Sequence, residues 1–210
     1  MNLNKIQAIM LMGKGTRIEN KPFARINGKE LFLYGYEILK ELFNDIFIVC
    51  RNDVFEILKD YKIKNVISEN KNIGPVGGIY EGAKNSDSGY IFVAGCDMPF
   101  LNKKIIEFLC NSVEGYGVVP VHENGMLEPL HSIYKRKRII DVFEKIGNER
   151  RISKVIEKMN VRFIPAEELR IYDKELLTFR NINTPEDVVW MENYLKKIKS
   201  EPKARLGTTS

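Results

Sequence analysis

Strands and helices alternate from the first residues of this 210-residue chain, which predicts an α/β fold. The expected architecture is a three-layer α/β/α sandwich around a mostly parallel, Rossmann-like central sheet. Three observations carry that expectation. Residues 6–12 (IQAIMLM) form a continuous apolar run ended by glycine, as a parallel strand covered on both faces requires. Residues 90–95 (YIFVAG) form a second such run. Between such runs, apolar residues recur at helical spacing, as in Leu31, Tyr34, Ile38, Leu39 and Leu42.

After the first strand, residues 24–26 and the pair Asn27-Gly28 read as a short extended piece and a tight turn. A helix is expected over 30–43, a strand over 46–50, a helix over 53–61 and a brief strand at 66–67. Gly74-Pro75 opens a helix to about residue 83, and the strand 90–95 is followed by a helix over 102–112. A strand over 117–121 leads through the hairpin signal Asn124-Gly125 into an extended segment over 126–133. Helices over 134–147 and 152–159 follow, then strands over 161–165 and 179–182. The last helix runs from Thr184 to about residue 199. Thr184 is its N-cap, Pro185 fills its first position and Asp187 completes a capping box. Residues 200–210 are polar and aperiodic and are expected to be disordered, leaving a single domain over 1–199.

Composition narrows the function classes. Hydrophobic content of 44% and charged content of 29% are those of an ordinary soluble globular protein. The net charge of +5 is spread along the chain and suits a small anionic substrate. The basic run over 134–138 reads as the solvated face of a helix, so nucleic acid is not an expected partner. No apolar run reaches membrane-spanning length and residues 1–12 lack a cleavage-site pattern, so no membrane association and a cytoplasmic location are expected. Cys50, Cys96 and Cys110 are odd in number and lack metal-type spacing, which reads as reduced core thiols.

Two segments carry chemistry. The first strand runs into a loop holding Gly13, Lys14, Gly15, Arg17 and Lys21, and the strand 90–95 ends at one carboxylate, Asp97. A glycine-rich basic loop offers phosphates its backbone N–H groups and cations. A lone acid at a strand's end suits a hydrated Mg²⁺. Together they point to an enzyme that handles a nucleoside triphosphate, with Arg17, Lys21 and Asp97 as catalytic candidates. The bland readings are a turn for the glycines, a solvated loop for the cations and a helix cap for Asp97. A Walker A loop is excluded, because it needs glycine at Ala8 and Ser or Thr at Gly15. The dinucleotide fingerprint fails at Ile18, where its third glycine belongs. His122 and His131 as a metal pair compete with a plain structural role, and no Ser/His/Asp arrangement or paired carboxylates support hydrolysis.

The string GKGTR, then Lys21-Pro22, then INGKEL resembles the signature loop of nucleotidyltransferases that join a nucleoside triphosphate to a phosphorylated acceptor. IGPVGGIYEGA at 73–83, FVAGCDMPFLN at 92–102, MLEPLHSIYKR at 126–136 and RNINTPEDV at 180–188 are similar, in order, to segments of MobA-type molybdenum cofactor guanylyltransferases. The resemblance spans roughly residues 6–195. It implies a nucleotide-diphospho-sugar transferase type of fold, Mg²⁺ dependence, transfer of GMP from GTP to molybdopterin, and handover to molybdoenzyme maturation proteins. It also implies nucleotide contacts from Leu11, Met12, Gly13, Lys14, Gly15, Lys21, Glu69, Gly74 and Asp97, with Asp97 holding the metal. Glu69 matches, by position, a family acid at the end of the third strand. Asn181 and Asn183 would serve the acceptor or complete the metal site, Asn52 would touch the ribose or base, and residues 128–131 would line the acceptor side. Gly77 and Gly78 either face the ligand or allow close helix–sheet packing. One departure stands out. Met12 fills the first of two positions where the family carries adjacent glycines, so its side chain is expected to crowd the nucleotide. Sister readings are cytidylyl transfer to molybdopterin, guanylyl transfer to a cobinamide phosphate, nucleotidyl transfer to a sugar phosphate, or nucleotide binding without turnover.

Overall fold

The apolar run at the start of the chain forms β1 (Ile6–Met12), and all seven of its residues are buried. Its side chains alternate between two cores, as the period of a strand dictates. Ile6, Ala8, Met10 and Met12 enter one cluster, and Ile9 and Leu11 enter the other. The computed structural model describes residues 3–13, 15, 17–69, 73–147 and 149–200. The expected tail lies almost entirely outside the described residues.

The chain continues through β2 (Arg25–Ile26), β3 (Lys29–Glu30), α1 (Leu31–Leu42), β4 (Ile46–Cys50), α2 (Asn52–Leu58) and β5 (Val66–Ser68). Next come α3 (Pro75–Asn85), β6 (Tyr90–Gly95), α4 (Lys103–Asn111), β7 (Gly117–Val121), β8 (His131–Lys135) and α5 (Arg136–Ile146). The last elements are α6 (Ile152–Met159), β9 (Arg162–Pro165) and α7 (Pro185–Ser200). The seven-stranded sheet has the order β5-β4-β1-β6-β8-β7-β9. β1 pairs in parallel with β4 and β6, while β8 alone runs antiparallel, between β6 and β7. One core holds Phe32 and Leu39 of α1 with Ile105 and Leu109 of α4. The opposite core holds Val76 and Ile79 of α3, Phe143 of α5 and Ile156 of α6. The mostly parallel three-layer sheet expected from the sequence is the one observed.

Local signals account for several joints. Asn27 and Gly28 both take positive φ, 49° and 82°, closing β2 on β3 as a two-residue hairpin. Thr184 N donates to Asp187 Oδ2 at 3.0 Å and Asp187 N to Thr184 Oγ1 at 3.3 Å, the reciprocal cap expected for α7.

Three expectations are corrected. The strand expected over 126–133 is β8 at 131–135, with only a single bridge from Leu127 to Val121 before it. Pro129 has no N–H to donate, and the Glu128 carbonyl is already taken by His131 N and Ser132 Oγ. The helix expected from 134 therefore starts at Arg136, because Ile133 and Tyr134 are paired with β6 and β7. No strand forms over 179–182. Residues 177–179 make a 3₁₀ turn after Leu176 at φ 53°, and Ile182 contributes one backbone bond, to Asp97 O at 2.9 Å.

Candidate active site

In an open, mostly parallel sheet the ligand cleft lies at the carboxyl ends of the strands. The ends of β1, β4, β5 and β6 here surround a cavity of about 560 Å³. Leu11, Met12, Gly13, Gly15 and Lys21 line it from the β1 side, and Val49, Cys50, Arg51, Asp53 and Glu69 from β4 and β5. Gly74, Pro75 and Gly78 at the head of α3 close it, with Gly95, Cys96, Asp97 and Leu130 on the β6 side.

At one edge of this cavity a cationic nitrogen is gripped by two oxygens. Lys21 Nζ donates to Asp97 Oδ2 at 2.5 Å and to Asn183 Oδ1 at 2.9 Å. Each partner is delivered by a different device. Lys21 opens a 3₁₀ turn after Asn20, which takes a left-handed φ of 45°. Gly15 lies on its stem at φ 71°, and a Cβ there would sit 2.9 Å from the Cβ of Lys21. Only glycine satisfies both the backbone angle and this contact. Asp97 follows β6, with Cys96 N bonded to Leu11 O at 3.0 Å and Asp97 O accepting from Ile182 N. Asn183 is set by the cap of α7, its N–H donating to Asp187 Oδ2 at 2.9 Å. Lys21 is only 7% exposed, so little water screens the pair.

The remaining expected residues divide clearly. Leu11, Met12, Gly13, Gly15, Glu69 and Gly74 line the cavity with Lys21 and Asp97, and Lys14 lies outside the described residues. Arg17 is exposed and is not among the lining residues. Asn181 turns to Phe179 O at 3.5 Å, and Asn52 bonds Ser68; neither lines the cavity. Met12 is 1% exposed and belongs to the core cluster with Met10 and Met98, and it also borders the cavity. Gly77 and Gly78 both pack closely, and Gly78 also borders the cavity. Their N–H groups both point to Gly74 O, and added Cβ atoms would meet Glu69 Oε1 at 2.8 Å and Leu11 Cδ2 at 2.9 Å. Arg51 and Asp53, which the sequence reading passed over, face the cavity. The rule that selected Asp97, a charged residue just after a buried parallel strand, selects them too.

The two histidines sit in different settings. His122 Nε2 meets Glu128 Oε1 at 2.9 Å, and burial raises the Glu128 carboxyl above its usual value. His131 is fully buried, its ring edge-on to Phe92 and Phe179, with Nε2 3.4 Å from Thr178 Oγ1 and no partner for Nδ1. Burial pushes its pKa from the ordinary 6.5 down to about 3. Between those values the unfolded chain takes up a proton that the folded protein refuses, so stability falls as pH drops below 6.5. The loss amounts to about 2 kcal/mol between pH 7 and pH 5. His131→Leu should therefore unfold in urea with a smaller difference between pH 7 and pH 5 than the unsubstituted protein; equal differences would refute this account. The three thiols are likewise kept neutral, pushed up to about 12 chiefly by burial. Among the described residues no group of three or more His, Cys, Asp or Glu side chains forms a metal cage. The two oxygens on Lys21 are hard donors at an open cavity, a donor set that fits a hard divalent cation rather than a closed structural site.

Comparison with known proteins agrees with this geometry. Residues 8–163 match the model of the MobA-like NTP transferase domain. A protein of Pyrococcus furiosus named "Probable molybdenum cofactor guanylyltransferase" is 34% identical over 199 residues, covering 91% of this chain and 98% of its own length. A protein of Methanocaldococcus jannaschii with the same name is 34% identical over 198 residues, covering 86% of this chain and 95% of its own. The crystal structure of molybdopterin-guanine dinucleotide biosynthesis protein A from Archaeoglobus fulgidus superposes with a TM-score of 0.78 at 28% identity. That alignment covers 91% of this chain and 99% of the other. The sheet, the cavity at its carboxyl edge and these matches agree: the chain belongs to the MobA-like NTP transferase family and is a nucleotidyltransferase.

Proposed function

We propose that this protein transfers GMP from GTP to molybdopterin with Mg²⁺, forming the guanine dinucleotide of the cofactor and releasing pyrophosphate. The observation that carries the proposal is the Lys21–Asp97–Asn183 cluster at the edge of a nucleotide-sized cavity. The names of the relatives support the choice of nucleotide and acceptor.

An oxygen of the acceptor's phosphate forms a bond to the α-phosphorus of GTP, and the bond from that phosphorus to the β-bridging oxygen breaks. Negative charge builds on the α oxygens and on the departing pyrophosphate. Gly13 and Gly15 present backbone to the triphosphate, and nothing lies within 4 Å of where a Cβ on Gly13 would sit. Lys21 supplies positive charge beside it, and Lys14 and Arg17 extend the basic loop. Glu69, with Gly74 at the head of α3, borders the nucleoside end. Asp97 and Asn183 would hold Mg²⁺, which when bound neutralises α and β oxygens. Catalysis in this scheme is positioning and charge stabilisation, with no covalent step on the protein. The acceptor enters from the β8 side of Asp97, where Leu130 and residues 128–131 lie, with Asn181 nearby on the segment before α7. The product passes on to molybdoenzyme maturation proteins. We place this activity in the cytoplasm and in one domain over residues 1–199.

Pyrophosphate release by the purified protein, measured with GTP, CTP or ATP and Mg²⁺, with and without molybdopterin, tests the proposal. Release that requires both GTP and molybdopterin is expected. Release with CTP would move the protein to the cytidylyl branch, and no stimulation by molybdopterin would overturn the acceptor.

A further inference from the structure

Asp187 does more than a helix cap requires. A capping box needs one reciprocal pair, and Asp187 makes it with Thr184. Yet the same Oδ2 also accepts Asn183 N at 2.9 Å, and Thr184 Oγ1 lies 3.3 Å from it. Its other oxygen, Oδ1, meets Arg180 Nη2 at 3.4 Å. The Arg180 guanidinium is itself fixed, 3.5 Å over the ring of Trp190 on the next turn of α7. One carboxylate thus ties together both ends of the segment from Arg180 to Thr184. In the middle of that segment Ile182 N holds Asp97 O, and Asn183 Oδ1 holds Lys21 Nζ. The path from the carboxylate to the reactive cluster is two contacts long: Asp187 to the Asn183 backbone, and the Asn183 side chain to Lys21.

From this geometry we infer that Asp187 is a positioning residue for nucleotidyl transfer, setting the Asn183 oxygen against Lys21 and Asp97. The inference rests on the proposed role of that cluster. A carboxylate whose two oxygens are shared among the Asn183 and Thr184 N–H groups and the Arg180 guanidinium is a stiff anchor. The site needs such stiffness, because an oxygen displaced by about 1 Å loses much of its hold on a bound cation.

The test is a double-substitution cycle over Asp187→Ala, Asn183→Ala and the pair, with Thr184→Ala and Asp187→Asn as separate controls. Asp187→Ala is expected to lower kcat/KM roughly 10- to 100-fold, and less than about twofold further when Asn183 is already alanine. Its cost in Tm should be the same in both backgrounds, since the cap is lost either way. Thr184→Ala removes the cap's hydroxyl but leaves the Asn183 tether, so Tm should fall while kcat/KM holds. Asp187→Asn keeps an acceptor oxygen and should recover most of the turnover. Equal fold losses from Asp187→Ala in both backgrounds would overturn the inference, as would a loss of turnover in Thr184→Ala matching that in Asp187→Ala. The same proteins are titrated calorimetrically with GTP and Mg²⁺, which needs no acceptor. A non-additive binding cycle without molybdopterin-stimulated turnover would uphold Asp187 while refuting the acceptor. An additive binding cycle would refute Asp187 while leaving the acceptor standing, and absence of GTP binding would overturn both.

Discussion

Asp97→Ala is expected to abolish Mg²⁺-dependent pyrophosphate release, a fall of about 1000-fold or more, equal to roughly 4 kcal/mol of transition-state stabilisation. Two functions leave with the carboxylate: the oxygen donor proposed for the cation, and the counter-charge of Lys21. The second loss also touches stability. Lys21 is 7% exposed, and without Asp97 its ammonium keeps, among the described residues, the Asn183 oxygen. Removing one partner of a buried pair costs about 3–5 kcal/mol. The Asp97 side chain is 18% exposed, so part of that cost is recovered by water. Asp97→Asn separates the two effects, because an amide oxygen still accepts from Lys21 while binding Mg²⁺ far less well. The expected result is a smaller fall in Tm for Asp97→Asn than for Asp97→Ala, with turnover lost in both. Retained turnover in a folded Asp97→Asn protein would remove Asp97 from the metal role.

Lys21→Met should reduce kcat/KM for GTP by about 10- to 1000-fold, or 1.4 to 4 kcal/mol. Methionine is the better probe than alanine here. The Lys21 stem packs under Gly15, and truncation to alanine would open a void beside the loop that carries Gly13. Methionine keeps most of that stem and removes the charge, so a lasting kinetic defect reports the ammonium itself. A second consequence follows from the same geometry. Without the ammonium the Asp97 and Asn183 oxygens lack their cation, so Mg²⁺ binding should stabilise the variant. Its Tm should rise with added Mg²⁺ more than that of the unsubstituted protein. A change in Tm alone, with kcat/KM intact, would assign Lys21 to structure.

Much of the scaffold was legible because its signals are local. The runs 6–12 and 90–95 read as buried parallel strands from seven and six residues apiece, and they became β1 and β6 at the centre of the sheet. Asn27-Gly28 and the Thr184–Asp187 pair needed four residues or fewer to specify a hairpin and a cap. The misreadings came where short apolar stretches carry no such punctuation. Residues 126–133 alternate plausibly, but Pro129 breaks the ladder and delays β8. Residues 179–182 are apolar at Phe179 and Ile182 to fill cores rather than to pair. At Met12 the family comparison reads a glycine position without its face; alternation with Ile6, Ala8 and Met10 places the residue in the same core cluster.

The α/β class, the central strands, the basic glycine loop and the lone acid at a strand's end are all readable from the residues in order. Each of these depends on residues a few positions apart, within reach of local sterics and hydrogen bonding. The meeting of Lys21, Asp97 and Asn183, across separations of 76 and 162 residues, appears in the folded molecule alone. Folding alone inserted β8 antiparallel between β6 and β7, and turned Arg51 and Asp53 into the cavity while leaving Arg17 outside its lining. Those outcomes follow from how whole layers pack. The burial of two extended cores sets where strand ends converge, and no short stretch of chain carries that information.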